Sequence, residues 1–369
     1  MKMYLNGCTM ESVNQILYDL ADENERKDYE LSFVSCCTDE MLKKLESNAA
    51  LKGKKVFQTE ITTQSWDQML PQRFLLLVID KEVYLCSHDE ICLPEDCSYL
   101  FSGGFIGDDC DYDLAEFKKI NLEGVDASEV KSMAYMFCKC PVSEEINLTG
   151  LDTSNVKDMS YMFSHCTIHS LDLSTLDTSK VKYMSNMFED SKFHELNLEN
   201  FNTSKVTNMS KMFRNCETSF VNIRHFHTSR VRTMSGMFED SSAKIEGIEC
   251  LDTSNVTNMS HMFKNYQYLD ETDLSGLDIS KVKSMTGMFE GCRAYKLDLS
   301  NFDTSNVKTM SRMFYKCSVA QVDVSGFDTS CLTNALDMFY QCSAEKILMS
   351  ADGQTDLKDL LGISKIVYS

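Results

Sequence analysis

The sequence predicts an α/β repeat solenoid, one short parallel strand plus one short helix per coil, with a small N-terminal α/β domain in front of it. Two observations carry that expectation. The dipeptide Met-Phe recurs at steps of 25 or 26 residues, ending at Phe137, Phe163, Phe188, Phe213, Phe238, Phe263, Phe289, Phe314 and Phe339. Self-similarity at such a period is the mark of stacked coils. Each unit also holds two hydrophobic periods in a fixed order, first that of a strand and then that of a helix.

The unit LDLSTLDTSKVKYMSNMFEDS, residues 171–191, shows both. Leu171 and Leu173 alternate with Asp172, the pattern of a half-buried strand. Val181, Met184, Met187 and Phe188 follow at i, i+3, i+6 and i+7, the spacing of one helix face. Thr178 and Ser179 precede that stretch and can cap its free N–H groups. One such coil cannot bury its apolar side alone. Stacking pairs the strands in parallel and lines the Leu, Val, Met and Phe positions into interior columns. The methionines at 133, 159, 184, 209, 234, 259, 285 and 310 are read as core of that stack rather than as an adaptable binding surface.

The two ends do not repeat. Lys2 to Leu5, Tyr29 to Ser35 and Val56 to Thr63 read as strands, and Phe74 to Asp80 with Glu82 to Cys86 as a hairpin. Met10 to Glu23 and Asp39 to Leu51 read as helices. The expected organisation is therefore an accessory domain over 1–91, an N-terminal cap over 92–127, nine repeats over 128–350 and a C-terminal cap over 351–369. The first cap carries an acidic insertion, DDCDYDLAE (108–116), read as a solvated loop. In the last cap, Thr355 would start a short helix holding Leu357, Leu360 and Leu361.

Bulk properties narrow the function. The chain has 369 residues, 43% of them hydrophobic, with only 3 Pro and 15 Gly, so no long flexible linker is present. A net charge of −20 argues against general nucleic-acid binding, which needs a basic footprint. The longest apolar run, Phe74 to Ile79, is six residues, far short of a membrane span. The first residues, MKMYLNGCTMESVNQ, lack the apolar core of a signal peptide. A cytoplasmic protein with its 16 cysteines reduced is the expectation, and a cell-surface or secreted one the alternative.

The unit F/L-D-T-S-x-V-x-x-M-S-x-M-F-x-x-C stands here as LDTSNVKDMSYMFSHC (151–166), LDTSNVTNMSHMFKNY (251–266) and FDTSNVKTMSRMFYKC (302–317). It closely resembles the BspA-type leucine-rich repeat of bacterial surface proteins and lipoproteins. EDCSYLF (95–101) looks like the degenerate first repeat of such proteins. The resemblance covers about residues 92–350. It implies a right-handed, leucine-rich-repeat-like solenoid and a role in recognition, typically adhesion to host or neighbouring cells. It supplies no catalytic residues, and its members are exported.

Candidate chemistry reads mostly as structure. Cys140, Cys166, Cys216, Cys292, Cys317 and Cys342 share one repeat position, where Ser191, Ser241 and Tyr266 stand in other coils. In-register side chains point the same way, which suits a small core residue better than a disulfide. Cys36 with Cys37, Cys138 with Cys140, Cys86 with Cys92 and Cys97, and His165 with Cys166 and His169 lack paired zinc spacing. Asp152, Asp177, Asp252, Asp278, Asp303 and Asp328 also stack, interrupted by Asn202 and His227. Turn hydrogen bonding rather than calcium is expected of them. No nucleophile-elbow, phosphate-loop or zinc-protease motif occurs, so no enzyme and no cofactor is expected, and any activity would have to lie in residues 1–91.

Binding is expected on the exposed strand face, with an unidentified protein as partner. Most coils present polar sets there, such as Ser170/Asp172/Ser174 and Lys296/Asp298/Ser300. The middle coils differ, with Phe220/Asn222/Arg224 and Ile245/Gly247/Glu249 beside His225 and His227. An exposed aromatic with an arginine has the composition of a binding hot spot. Phe220, Asn222, Arg224, His225 and Ile245 are therefore the candidate partner-binding residues. A second surface, the basic stripe Lys157, Lys180, Lys182, Lys205, Arg230, Arg232, Lys281, Lys283 and Lys308, is read as neutralising the Asp column or as meeting an acidic partner.

Overall fold

The computed structural model describes residues 2–4, 29–34, 38, 40–44, 47, 56–63, 72–79, 81–87, 90–102, 117–350 and 366–368. The expected helix Met10 to Glu23, the acidic insertion, the C-terminal helix over Leu357 to Leu361, and Cys36 and Cys37 lie outside those residues. The chain divides into two compact units. One holds Met1–Lys180 with Ser191–Phe201, and the other Val181–Asp190 with Asn202–Ser369.

In the first unit the N-terminal strands are β1 (Lys2–Tyr4), β2 (Tyr29–Val34), β3 (Val56–Thr63), β4 (Gln72–Ile79), β5 (Glu82–Cys86) and β6 (Glu90–Cys92). The first five match the strand expectations, with β4 and β5 forming the expected antiparallel hairpin, while β6, which pairs with β1, lies outside those expectations. Residues 40–44 are helical, within the expected Asp39 to Leu51 segment. The coils of this unit contribute β7 (Phe117–Asn121), β8 (Val142–Asn147), β9 (Thr167–Ile168), β10 (Ser170–Leu171) and β11 (Lys192–Phe193). Three coil strands and four N-terminal strands share one seven-stranded sheet, in the order β10-β8-β7-β2-β5-β4-β3, while β1 pairs with β6 and β11 with β9. Strand β2 thus hands a parallel edge to the first coil strand, β7, through Leu31 opposite Ile120. Phe33 continues the interior by meeting Phe101 edge-on at 5.9 Å, and Phe101 stacks on Phe137 at 5.3 Å.

The second unit holds β12 (Phe220–Asn222), β13 (Lys244–Glu246), β14 (Arg293–Asp298), β15 (Ser318–Asp323), β16 (Lys346–Met349) and β17 (Ile366–Tyr368). All pairings among them are parallel, β12 with β13 and β14-β15-β16-β17 in order. The interior is a column of phenylalanines, Phe188, Phe213, Phe238, Phe263, Phe289, Phe314 and Phe339, stacked at 4.7 to 6.0 Å. The Val and Met columns beside it, such as Val231, Met234 and Met237, are wholly buried, so the methionines are core as expected.

The helix in each coil is corrected. In the described repeats, helical structure is confined to two 3-10 turns, Ile248–Cys250 and Leu269–Glu271. The Met-Ser-x-Met-Phe segment instead makes two successive turns. Met136 N–H donates to Met133 O at 3.2 Å and Cys140 N–H to Phe137 O at 3.0 Å. The third residue of each turn is left-handed, Tyr135 at φ +59° and Lys139 at +54°. A left-handed residue at every fourth position stops a right-handed helix. Alternate N–H groups leave the coil: those of Met133, Tyr135, Phe137 and Lys139 donate to Asp158, Ser160, Met162 and Ser164 of the next one. Consecutive turns bring every third or fourth residue to the same side, so the apolar spacing matched a helix face while the hydrogen bonds form a parallel ladder. The coils are β-solenoid coils with little helix.

Polar side chains fasten one coil to the next. The threonines that precede the turn serine in successive coils, Thr203, Thr228 and Thr253, are buried, and each hydroxyl donates to a carbonyl of the following coil: Thr203 to His227 at 3.1 Å, Thr228 to Asp252 at 2.9 Å, Thr253 to Asp278 at 2.9 Å. A buried hydroxyl must find such a partner or its burial is unfavourable. The stacked aspartates accept from backbone two residues on, Asp252 from Ser254 N–H at 3.1 Å and Asp278 from Ser280 N–H at 2.9 Å. This is the turn bonding expected of them.

Candidate recognition surface

The strand wall of the second unit carries four of the five expected binding residues outward and one inward. Strands β12 and β13 pair Phe220 with Lys244, Val221 with Ile245 and Asn222 with Glu246. Val221 is wholly buried, and Ile245 beside it is only 6% exposed. Ile245 is therefore core, which corrects its reading as a surface residue. The 25-residue step places Ile245 level with Phe220, but this coil reaches its strand one residue early. Gly247, at φ +99°, takes up the difference and leads into the turn at Ile248. Where the next strand would follow, Tyr266 stands in the cysteine column, and its hydroxyl accepts the Ile245 N–H at 3.1 Å.

The outward residues are ordered by local chemistry. Phe220 is 41% exposed. The Asn222 side chain accepts the Arg224 N–H at 3.0 Å, closing the turn after the strand. The Arg224 guanidinium pairs with Glu249 Oε1 at 2.5 Å and lies 3.8 Å from Glu246. His225 sets its ring edge-on to buried Phe226 at 5.1 Å. Three further wall residues escaped the sequence reading: Lys244, Glu246 and Tyr295. Lys244 Nζ pairs with Glu271 at 2.6 Å, which raises its pKa. Tyr295 is 79% exposed, and its backbone N–H donates to Asp270 at 2.6 Å. Strict alternation misses Tyr295 because Tyr295 and Lys296 are consecutive exposed residues between buried Ala294 and Leu297.

Behind the turn segments runs a column of alternating charge, Glu189, Arg214, Glu239, Lys264 and Glu290. Arg214 meets Glu189 at 2.9 Å and Glu239 at 3.7 Å; Lys264 meets Glu239 at 2.8 Å. Glu189 and Glu239 are buried. Burial works most strongly against the Lys264 ammonium, but the bond to Glu239 and the charges of Glu239, Glu290 and Asp240 together outweigh it and the pKa rises. His261 lies against the same column with Nδ1 buried and unbonded, and burial lowers its pKa.

The described cysteines are free thiols, and the column at the end of the motif is buried for most of its length. Cys166 Sγ donates to Phe137 O at 2.9 Å and Cys292 Sγ to Phe263 O at 2.7 Å, each in the preceding coil. Ser191 makes the same bond to Phe163 O at 2.6 Å. The position thus wants a small donor, which is why cysteine and serine interchange there. Burial pushes the Cys166, Cys216 and Cys292 thiols up to about 12. Among the described residues one other set could bring three ligand atoms within 4.8 Å of one another, Glu90, Cys92 and Asp126. It differs from the Cys86, Cys92 and Cys97 group of the sequence.

Among the described residues, Asp252, Asp278, Asp303 and Asp328 make no close ion pair with the basic stripe. Lys180 donates to the Asn155 side chain at 2.7 Å and Lys281 to that of Asn255 at 2.8 Å. The charge of the stripe still reaches the column: the Asp278 carboxyl pKa is lowered first by its bonds from Ser280 and then by the nearby Lys281 ammonium, while the carboxylates also accept from their own turns. No helix among the described residues is long and apolar enough to cross a membrane.

No curated protein and no solved structure matches this chain. One family model does, over residues 109–222, 190–271 and 240–351, which together span more than half of the chain and coincide with the coils. The chain belongs to the family described as Mycoplasma protein of unknown function, DUF285.

Proposed function

We propose that this chain is a non-catalytic recognition scaffold of the BspA-type leucine-rich-repeat kind, binding a protein through the strand wall of its second unit. The observation that carries this reading is the exposure of Phe220 and Tyr295 on a wall whose other fully exposed strand residues are polar or charged. Large aromatics among ion-paired residues are the composition of an interface centre with a polar rim. Arg224, Lys244, Glu246 and Glu249 supply that rim. The motif's resemblance to adhesive repeats supports recognition as the role. Free thiols in the coils favour a reducing, cytoplasmic setting, which protease shaving of intact cells would test.

The test compares the full chain with a Phe220→Ala/Tyr295→Ala variant as baits against source-cell extract. Loss of the same captured protein from a variant with unchanged melting supports the wall. Equal capture by both refutes it. Reproducible turnover by residues 1–91 in an activity screen would instead favour an enzyme.

A further inference from the structure

The second unit carries a cleft of about 320 Å³ lined by Thr207, Ser229, Arg230, Arg232 and Asn255. We propose that this cleft binds a phosphate group through Arg230 and Arg232, both of which line it. Backbone bonds hold its floor in register. The N–H groups of Thr207, Arg232, Thr257, Lys283 and Lys308 donate in turn to the carbonyls of Lys182, Thr207, Arg232, Thr257 and Lys283, at 2.9 to 3.0 Å. Positions 205, 230, 255 and 281 run alongside as a second column, cationic at Lys205, Arg230 and Lys281 and an asparagine at 255. In most coils a carboxylate stands three residues before this column: Asp252, Asp278 and Asp303. In the two coils that carry Lys205 and Arg230 that position holds Asn202 and His227. The local acid is missing where the two arginines stand.

The arginines are also unspent. Among the described residues neither guanidinium makes a hydrogen bond or an ion pair, whereas Arg214, Arg224 and Arg312 are all paired with carboxylates. The other groups of the cleft are fixed around them. Asn255 Nδ2 donates to Ser229 O at 2.9 Å, while its Oδ1 accepts from Lys281 at 2.8 Å. Thr207 Oγ1 donates to Lys182 O at 3.2 Å, leaving the Ser229 hydroxyl as a further donor to a ligand. Two planar guanidinium forks and a hydroxyl suit several acceptor oxygens on one centre, and two positive charges match a phosphate dianion. A single carboxylate would satisfy only half of that set. The site is independent of the strand wall proposed above, so either can fail alone.

The experiment titrates inorganic phosphate into the full chain at low chloride, followed by calorimetry, and repeats it with the Arg230→Gln/Arg232→Gln variant. Both residues are exposed, so the variant should melt as the parent does, which is checked first. Saturable one-to-one binding is expected, weakened about tenfold or more in the variant by loss of the charge-assisted bonds. Acetate at equal concentration should not displace phosphate. A phosphoserine peptide titrated in parallel separates the sources. Tighter binding than phosphate identifies a phosphorylated protein, and equal binding a free or small-molecule phosphate. No binding, equal binding by the variant, or equal displacement by acetate overturns the proposal. Should the variant melt lower, Lys308→Gln with intact arginines serves as the control, expected to keep phosphate binding within twofold; a loss as large as the arginine variant's overturns the site.

Discussion

Gly247 is where the wall's register is restored, and its replacement by alanine tests the whole account of Ile245. A Cβ at 247 would sit 2.5 Å from Arg224 N and 2.7 Å from Arg224 Cα. Both are backbone atoms, so no rotamer change relieves the overlap. The left-handed φ of +99° adds about 1–2 kcal/mol for any residue with a Cβ. Forcing packed backbone apart costs about 1–3 kcal/mol more. The sum for Gly247→Ala is about 2–5 kcal/mol. Gly150 supplies the control, because it is left-handed at φ +79° with nothing within 4 Å of an added Cβ. Gly150→Ala should therefore cost only the conformational part, about 1–2 kcal/mol. Urea unfolding of the full chain measures both, with hydrogen exchange at Val221 and Ile245 to localise the first, because repeat proteins lose stability locally. If Gly247→Ala costs no more than Gly150→Ala, the close approach to Arg224 is not real and the inward placement of Ile245 loses its support.

The other predictions concern the interior columns. Glu239→Gln leaves Lys264 and one side of Arg214 without their charge partner and should cost about 1–3 kcal/mol in a thermal melt, while Glu195→Gln at an exposed position stays within about 0.5 kcal/mol. Iodoacetamide on the folded chain should label exposed Cys250 and Cys331 and spare Cys166, Cys216 and Cys292 until unfolding, as read by mass spectrometry. His261 has its folded pKa depressed below the ordinary 6.5, so the neutral ring is favoured in the folded state. Its contribution is full above that value and is lost as pH falls below it toward the folded pKa. Denaturant midpoints from pH 7.5 down to 5 should therefore fall more for the parent than for His261→Asn; parallel curves would remove His261 from the cause.

The repeats and their interior were legible because burial writes a strict pattern. Phe213, Phe238 and Phe263 occur at fixed steps since each must stack on its neighbour. The strands β2, β3 and β5 were equally readable, from runs such as Val56 to Thr63. The helix was not, because Val181, Met184, Met187 and Phe188 face inward at spacings that a helix and a pair of turns share. The residue that separates the two, Asn186 at φ +59°, carries its signal in backbone conformation, which asparagine hints at but tyrosine at 135 and 161 hides. At the candidate surface the limit was one of counting. A fixed 25-residue step carries Phe220 to Ile245, and only the hydrogen bonds show that the coil reaches its strand a residue early.

Interior columns that repeat cannot by themselves distinguish one coil from another. Met209, Met234 and Met259 are wholly buried and identical, so their packing would be equally satisfied by a coil stacked out of order. The alternating column supplies the distinction. In sequence order Arg214 lies between Glu189 and Glu239, and Lys264 meets Glu239. A stack that skipped one coil would bring Glu189 onto Glu239, two buried like charges without a cation, which is strongly unfavourable. The same reasoning bears on function. If the Val, Met and Phe columns must be uniform to stack, outward positions that differ from coil to coil are free to encode a partner. Phe220 and Tyr295 on the strand wall set large aromatics where neighbouring coils carry polar or small residues. Recognition is expected where the repeat is broken on the outside while it is kept on the inside.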